Sequence, residues 1–502
     1  MKRIIIFFIF CLSYFFAAAQ NTIIEALRQQ SNLSVFTKIV DACGLSDELS
    51  KVRDEVYEEK YSKGEFQDLP ELMGAYNGRF PEHRYYGYTL FPETDDFWKQ
   101  TLNKAVADIS VSDIEQWAST QGQTLHDFVR YHILPVKLSP DNLVIHYNEK
   151  GYNYLDKNMP FTIPVYEVYE VLGGGQLLKL YQCGPNHSLD GTSDIFINRT
   201  PVLDDGMHGD LHEISITPQT KGIRLNTTLV TRAQNGYIYP INDALIYNKD
   251  VREQVLGGRL RYDIAALFPE LMNNGIRANK SRDMSCGLPS NDQYCYCEGL
   301  DIKPGTQFYF LSGLGNNWMN WQGDEFEATG VFDFTIKLPP VPTDGEYELR
   351  LGLQSNSNRR SIALFSFGTD KENLKATGLP VDMRQSGTYI ATNYGNYPSS
   401  VVGWEQDSGD EEYDRSIDLR MYEAGFLKGP ANFSSSPGAN PVRNQEGSLR
   451  RIIWRGEIKA GEDHYLRIRS TLSNNMLWCY LDYLEWCPKS VYANPDKPED
   501  IW

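Results

Sequence analysis

Between residues 307 and 486 the chain repeats one pattern: short runs that alternate or stay apolar, each closed off by turn residues. The runs are Gln307–Leu311, Gly330–Leu338, Gly345–Leu353, Ser361–Phe367, Ile452–Trp454, His464–Arg469 and Trp478–Trp486. Aromatic and β-branched residues at a spacing of two suit a pleated surface with one buried side and do not suit a helix. Seven such runs lead to an antiparallel β-sandwich.

The first 250 residues are written differently. Thr22-Ile-Ile-Glu25 is a capping box that opens an apolar stripe at Ile24 and Leu27. Leu33, Phe36, Ile39, Val40 and Cys43 recur at helical spacing, and Gly44 fits the helix stop. Tyr88 to Phe91 reads as a short buried strand ended by Pro92, after which Thr94 caps a helix carrying Phe97, Trp98 and Leu102. Leu125 to Leu134 is a helix end holding His132, read as a satisfied core histidine. Asn235-Gly236 is a turn into an alternating strand, with Tyr237, Tyr239 and Ile241 on one face and Ile238 and Pro240 on the other.

In this order the stretches resemble a fasciclin-like domain. Asn235-Gly-Tyr-Ile-Tyr-Pro-Ile-Asn-Asp-Ala-Leu245 is similar to its closing strand, Thr89 to Phe97 to its strand-to-helix step, and Tyr131-His132 to its Tyr-His helix end. The resemblance covers about residues 21–248, with insertions between Gly44 and Thr89 and between His132 and Asn235. It implies an α+β domain used for adhesion and protein contact rather than catalysis. Leu481-Asp-Tyr-Leu-Glu-Trp486 followed by Pro488 resembles the final strand of galactose-binding-like jelly rolls. The fold class expected is thus an α+β fasciclin-like N-terminal domain plus an all-β antiparallel sandwich, jelly-roll-like, at the C-terminus. Residues 1–19 read as a signal peptide, 21–248 as the first domain and 249–298 as a transition segment. Val251 to Leu271 in that segment looks helical, and residues 299–502 form the sandwich.

Lys2 and Arg3, the apolar Ile4–Phe16 and the small Ala17-Ala18-Ala19 make an export signal too short to span a bilayer. The protein is expected to be exported and not transmembrane, in the periplasm, at the outer-membrane surface or outside the cell. A lipid anchor at Cys11 is the weaker alternative, because apolar Leu12-Ser-Tyr-Phe-Phe16 follows it. Net charge is −18, and no basic stripe offsets it, so nucleic acid is excluded as a partner. Without Cys11, seven of eight cysteines remain. This odd number does not form a disulfide framework, although one bridge using Cys286 is plausible. Cys43 reads as a buried thiol. On one strand Cys479 and Cys487 would stand about 26 Å apart at about 3.3 Å per residue, too far to bridge.

Two constellations suit glycans, which stack on aromatic rings while amides and carboxylates take their hydroxyls. Trp318 and Trp321 sit among Asn317, Asp324 and other polar residues, and Tyr394, Tyr397 and Trp404 fall in a Gly/Ser/Asn-rich stretch. Packing of both indoles into the end of the sandwich is the competing reading. His208 and His212 are four apart, but Gly206 and Gly209 break a helix there and no general base stands in register. Asp407 and Asp410 belong to an oxygen-rich stretch that leaves room for a structural calcium, without the twelve-residue loop of a calcium hand. No catalytic residue, resident metal or other cofactor is expected.

The combination looks like accessory proteins of Bacteroides-type glycan-uptake systems. It implies a non-catalytic cell-envelope protein that binds polysaccharide or docks onto an outer-membrane partner. A glycoside hydrolase or lyase built on the sandwich is the alternative, since its two acids need proximity only in space. Pure adhesion or assembly without a sugar site is the third reading.

Overall fold

The computed structural model describes residues 21–66, 80–144, 165–182, 194–199, 221–277, 284–291, 294–312, 321, 324–355, 357–431, 441–474, 477–496 and 499–501. Up to residue 131 the described residues are mostly helical, for local reasons. Thr22 N donates to the Glu25 carboxylate at 2.8 Å and starts Ile23–Arg28. Thr94 accepts from Phe97 N and starts Asp95–Leu102, and Thr124 does the same for Leu125–Tyr131. Each side chain satisfies a donor that the first helical turn leaves unpaired. Ser34–Ala42 ends at Gly44 with φ +68°, a conformation glycine adopts without strain. These helices turn Ile23, Leu27, Phe36, Ile39, Trp98 and Phe128 into one apolar core.

That core backs a four-stranded sheet ordered Ile133–Leu134, Tyr88–Leu90, Gly236–Ile238, Thr231–Ala233. Tyr88–Leu90 pairs in parallel with Gly236–Ile238, and the other two pairings are antiparallel. A Cβ on Gly236 would lie 2.1 Å from the Tyr88 carbonyl oxygen, so only glycine lets these strands approach. The turn falls at Gln234-Asn235, and the strand ends at Ile238 rather than running to Ile241. A second four-stranded sheet, Val165–Glu170, Leu177–Gln182, Ile195–Ile197 and Ile223–Arg224, is wholly antiparallel.

From residue 260 the sheets are antiparallel. A five-stranded sheet runs Phe426–Lys428, Ser448–Ile458, Gly345–Gln354, Tyr483–Pro488, Leu260–Asp263. A second joins Leu300–Ile302, Asp333–Leu338, His464–Ser470 and Ile362–Gly368, with two short strands at its edge. A third holds Met284–Gly287, Thr306–Ser312, Asp324–Gly330 and Trp478–Leu481. One core spans them, with Phe308, Phe326, Phe334, Leu351, Leu466 and Trp486 fully or almost fully buried. The chain is therefore mixed α/β with a sandwich-like C-terminal half.

The structure departs from the sequence pattern at three places. Trp478–Trp486 is not one strand: Trp478–Leu481 pairs with Asp324–Gly330, and Tyr483–Pro488 pairs with Gly345–Gln354 in another sheet. Val251 to Leu271 is not one helix. Only short helical pieces form, Val251–Val255, Ile264–Leu267 and Pro269–Asn273, because Gly257-Gly258 breaks the first turn and Leu260–Asp263 is drawn into pairing with Tyr483–Trp486. Leu260–Asp263 and Met284–Gly287, within the stretch 249–298, are thus strands of the C-terminal sheets. The two halves also share buried contacts, since Tyr57, Val168 and Leu177 enter the sandwich core and Arg277 Nη2 lies 3.1 Å from Glu167. Among the described residues no helix is long and apolar enough to cross a membrane.

Candidate functional site

Trp321 does not stand in an open loop. It is 8% exposed, and its backbone N–H donates to both Asp482 oxygens at 2.8 and 2.9 Å. The Arg261 guanidinium lies 4.5 Å from the indole centroid and 5.2 Å from the Tyr483 ring. The Trp321 indole packs beside Arg261 and Tyr483, next to the crossing between two sheets. Asp324, also expected to face a sugar, is buried against Arg277 Nε at 3.2 Å. Trp318, Asn317, His208, His212 and Cys11 lie outside the described residues.

The tyrosine cluster is placed differently. Tyr389–Thr392 and Gly395–Pro398 form a hairpin closed by the two-residue turn Asn393-Tyr394. Thr392 Oγ1 donates to Gly395 O at 2.6 Å and accepts from Tyr394 N at 3.2 Å, which fixes the turn from within. At the hairpin base, Ser386 N donates to Tyr389 O and Ser399 N to Thr388 O. Tyr394 at the tip is 91% exposed and Tyr397 56%. Two large rings are therefore held in solvent on tied backbone. Trp404 is not part of this display: it packs beside Val402, Ile417 and Met421 and against Gly387.

Asp407 and Asp410 already have partners. Asp407 accepts from Lys428 Nζ and Arg443 Nε, both at 2.7 Å, and Asp410 caps the helix Glu411–Glu423 by accepting from Tyr413 N. The stretch that reads as an acidic loop is a helix start, and among the described residues no three metal-binding side chains converge. Cys43, Cys295, Cys297, Cys479 and Cys487 are free thiols, and burial pushes Cys295 up to about 12.

The sequence gives no sign of a buried ionic layer on the five-stranded sheet. One face packs Leu349, Leu351, Leu484 and Trp486 into the core. The other carries Glu348, Arg350, Arg450, Glu485 and Arg261, all buried. Arg261 Nη2 lies 2.7 Å from Glu485 and Arg450 Nη1 3.2 Å from it. Arg350 Nη1 is 2.8 Å and Arg259 Nη1 2.7 Å from Glu499, and Arg259 Nη2 is 2.7 Å from Asp500. Burial raises the Glu499 carboxyl, but Arg350, Arg259 and Arg450 pull it further the other way, to about 2. In the sequence the layer's members are only charges scattered along separate strands. Their partners lie as far as 240 residues away, so no local window could pair them.

No family model matches the sequence, and no curated protein matches it. Among solved structures, the K1 cleaved adhesin domain of Lys-gingipain from Porphyromonas gingivalis is 11% identical, with a TM-score of 0.20 over 41% of this chain and 99% of that one. A family GH115 4-O-methyl-alpha-glucuronidase specific for decorated arabinogalactans is 12% identical, with a TM-score of 0.16 over 34% of this chain and 15% of that one. Likenesses with TM-scores this low carry no conclusion about fold or function.

Proposed function

We propose that this chain is an exported, non-catalytic envelope protein that binds polysaccharide through its C-terminal half. The observation that carries the reading is the hairpin that holds Tyr394 and Tyr397 in solvent. Exposed aromatic rings on fixed backbone suit stacking against the apolar faces of sugars, and the ordering cost is already met by the tied hairpin. Residues 21–248 act in this reading as a fasciclin-like contact module. Its support is the parallel pairing of Tyr88–Leu90 with Gly236–Ile238 and the buried His132, whose Nε2 is 2.8 Å from Glu93 and Nδ1 2.7 Å from Phe128 O.

The test is affinity electrophoresis of the mature protein in gels carrying plant and microbial polysaccharides, with reducing-sugar release measured in parallel. Retardation by at least one polysaccharide, lost in the Tyr394→Ala/Tyr397→Ala double variant, is the expected result. Retardation unchanged in that variant removes the hairpin from the reading, and release of reducing sugar replaces it with an enzyme.

A further inference from the structure

A cavity of about 350 Å³ lies between the helix Glu411–Glu423 and the C-terminal residues 491–495 and 499–501, over the strand Ser448–Ile458. Its walls are of two kinds. Tyr422, Tyr492, Leu419, Leu427 and Ile501 supply apolar surface. Both tyrosines are oriented by their hydroxyls, Tyr422 donating to Glu348 at 2.7 Å and Tyr492 to Glu346 at 2.6 Å.

The polar wall is richer in donors than in acceptors. Arg443 and Arg450 are each 3% exposed. Arg443 uses Nε on Asp407 and Nη2 on Asp418, and Arg450 uses Nε on Lys428 O and Nη1 on Glu485 and Glu499. Among the described residues nothing accepts from Arg443 Nη1 or Arg450 Nη2. Glu499 is occupied at both oxygens by Arg350, whereas Asp418 accepts at Oδ2 alone and keeps Oδ1 open. Arg415, Lys428, Arg443 and Arg450 line the cavity opposite Asp418, Glu499 and Asp500, and behind them Asp407 pairs with Lys428 and Arg443 and Glu485 with Arg450.

We propose that this cavity binds a hexuronic acid residue of a glycan, its carboxylate on Arg443 and Arg450 and its ring against Tyr422 and Tyr492. Guanidinium edges pair with a planar carboxylate in a fixed geometry. Asp418 Oδ1 can accept from a sugar hydroxyl, which a fatty acid does not offer. The cavity shares no residue with the tyrosine hairpin, so either site can fail while the other stands.

Calorimetric titration of the full chain with D-glucuronate, D-galacturonate, D-glucose, acetate and glucose 6-sulfate tests it. At least one uronate is expected to bind ten times or more tighter than glucose and acetate and to raise Tm. Tyr492→Ala should weaken that binding tenfold or more. Leu419→Trp, which fills the cavity from an exposed rim position, should abolish it even if Tyr492→Ala proves unstable. Tyr394→Ala/Tyr397→Ala should leave it unchanged. Equal binding of glucose or acetate, tighter binding of the sulfated sugar, indifference to Leu419→Trp, loss in the hairpin variant, or no uronate binding each overturns the assignment.

Discussion

Glu485 and Glu327 both lie fully buried in the middle of strands of the same C-terminal half, in different sheets. Their surroundings differ completely. Glu485 sits among Arg450, Arg261, Arg259 and Arg350, which overcome the cost of burial and hold its carboxyl far below the usual range. Glu327 stands in register between Tyr309 and Tyr480, and burial pushes it up to about 7, tempered by the Tyr480 hydroxyl and the Arg360 charge. Burial is common to both, so the neighbours decide which protonation state the fold prefers.

The contrast can be broken most forcefully at Glu485. Glu485→Ala leaves Arg261 and Arg450 short of their shared carboxylate, and breaking a buried pair costs about 3–5 kcal/mol. Urea unfolding should show a loss of that size, and a loss under 1 kcal/mol would mean that the ionic layer is not structural. Trp321→Ala comes next. An indole buried against Arg261 and Tyr483 at the crossing between the sheets should cost about 3 kcal/mol when removed. A Tm equal to that of the parent would show that the indole contributes nothing there.

Glu327→Gln sharpens the comparison through its sign. A carboxyl whose folded pKa is about 7 against an ordinary 4.5 favours the fold only when protonated, so it destabilises above pH 7 and ceases to matter below 4.5. Glu327→Gln should therefore stabilise the protein at pH 8 by on the order of 1–3 kcal/mol and leave it unchanged at pH 4. Glu499 runs the other way. Its stabilisation is complete above the ordinary 4.5 and is lost as pH falls through about 2. A thermal-melting profile that rises from pH 8 to 5 and then falls toward pH 2 is expected, and a Glu327→Gln profile flat from pH 8 to 5 would assign the first limb to this residue. The smallest effect belongs to the solvent-exposed hairpin, where Tyr394→Ala should change stability by less than about 0.5 kcal/mol. A larger loss by urea unfolding would make Tyr394 a packing residue.

The sequence made legible whatever neighbouring residues decide. The capping of Ile23–Arg28 by Thr22 and Glu25, the stop at Gly44, the Thr94 cap and most of the later strands follow from short windows. What it hid depends on distant partners. Asp324–Gly330 reads as the end of a loop, yet it is a strand because Thr306–Ser312 and Trp478–Leu481 flank it. Trp321 reads as a surface ring because Arg261 and Tyr483, which pack on the indole, are far away in sequence. Tyr394 and Tyr397 are exposed whereas Trp404 packs beside the helix Glu411–Glu423, and no local feature of the sequence separates the three.

The ionic layer also has an order in time. Arg259 is made 240 residues before Glu499, roughly 12–48 s earlier at about 5–20 residues/s. The sheet face cannot bury Arg259, Arg261, Arg350 and Arg450 with their partners until Glu485, Glu499 and Asp500 have emerged, so this face closes late.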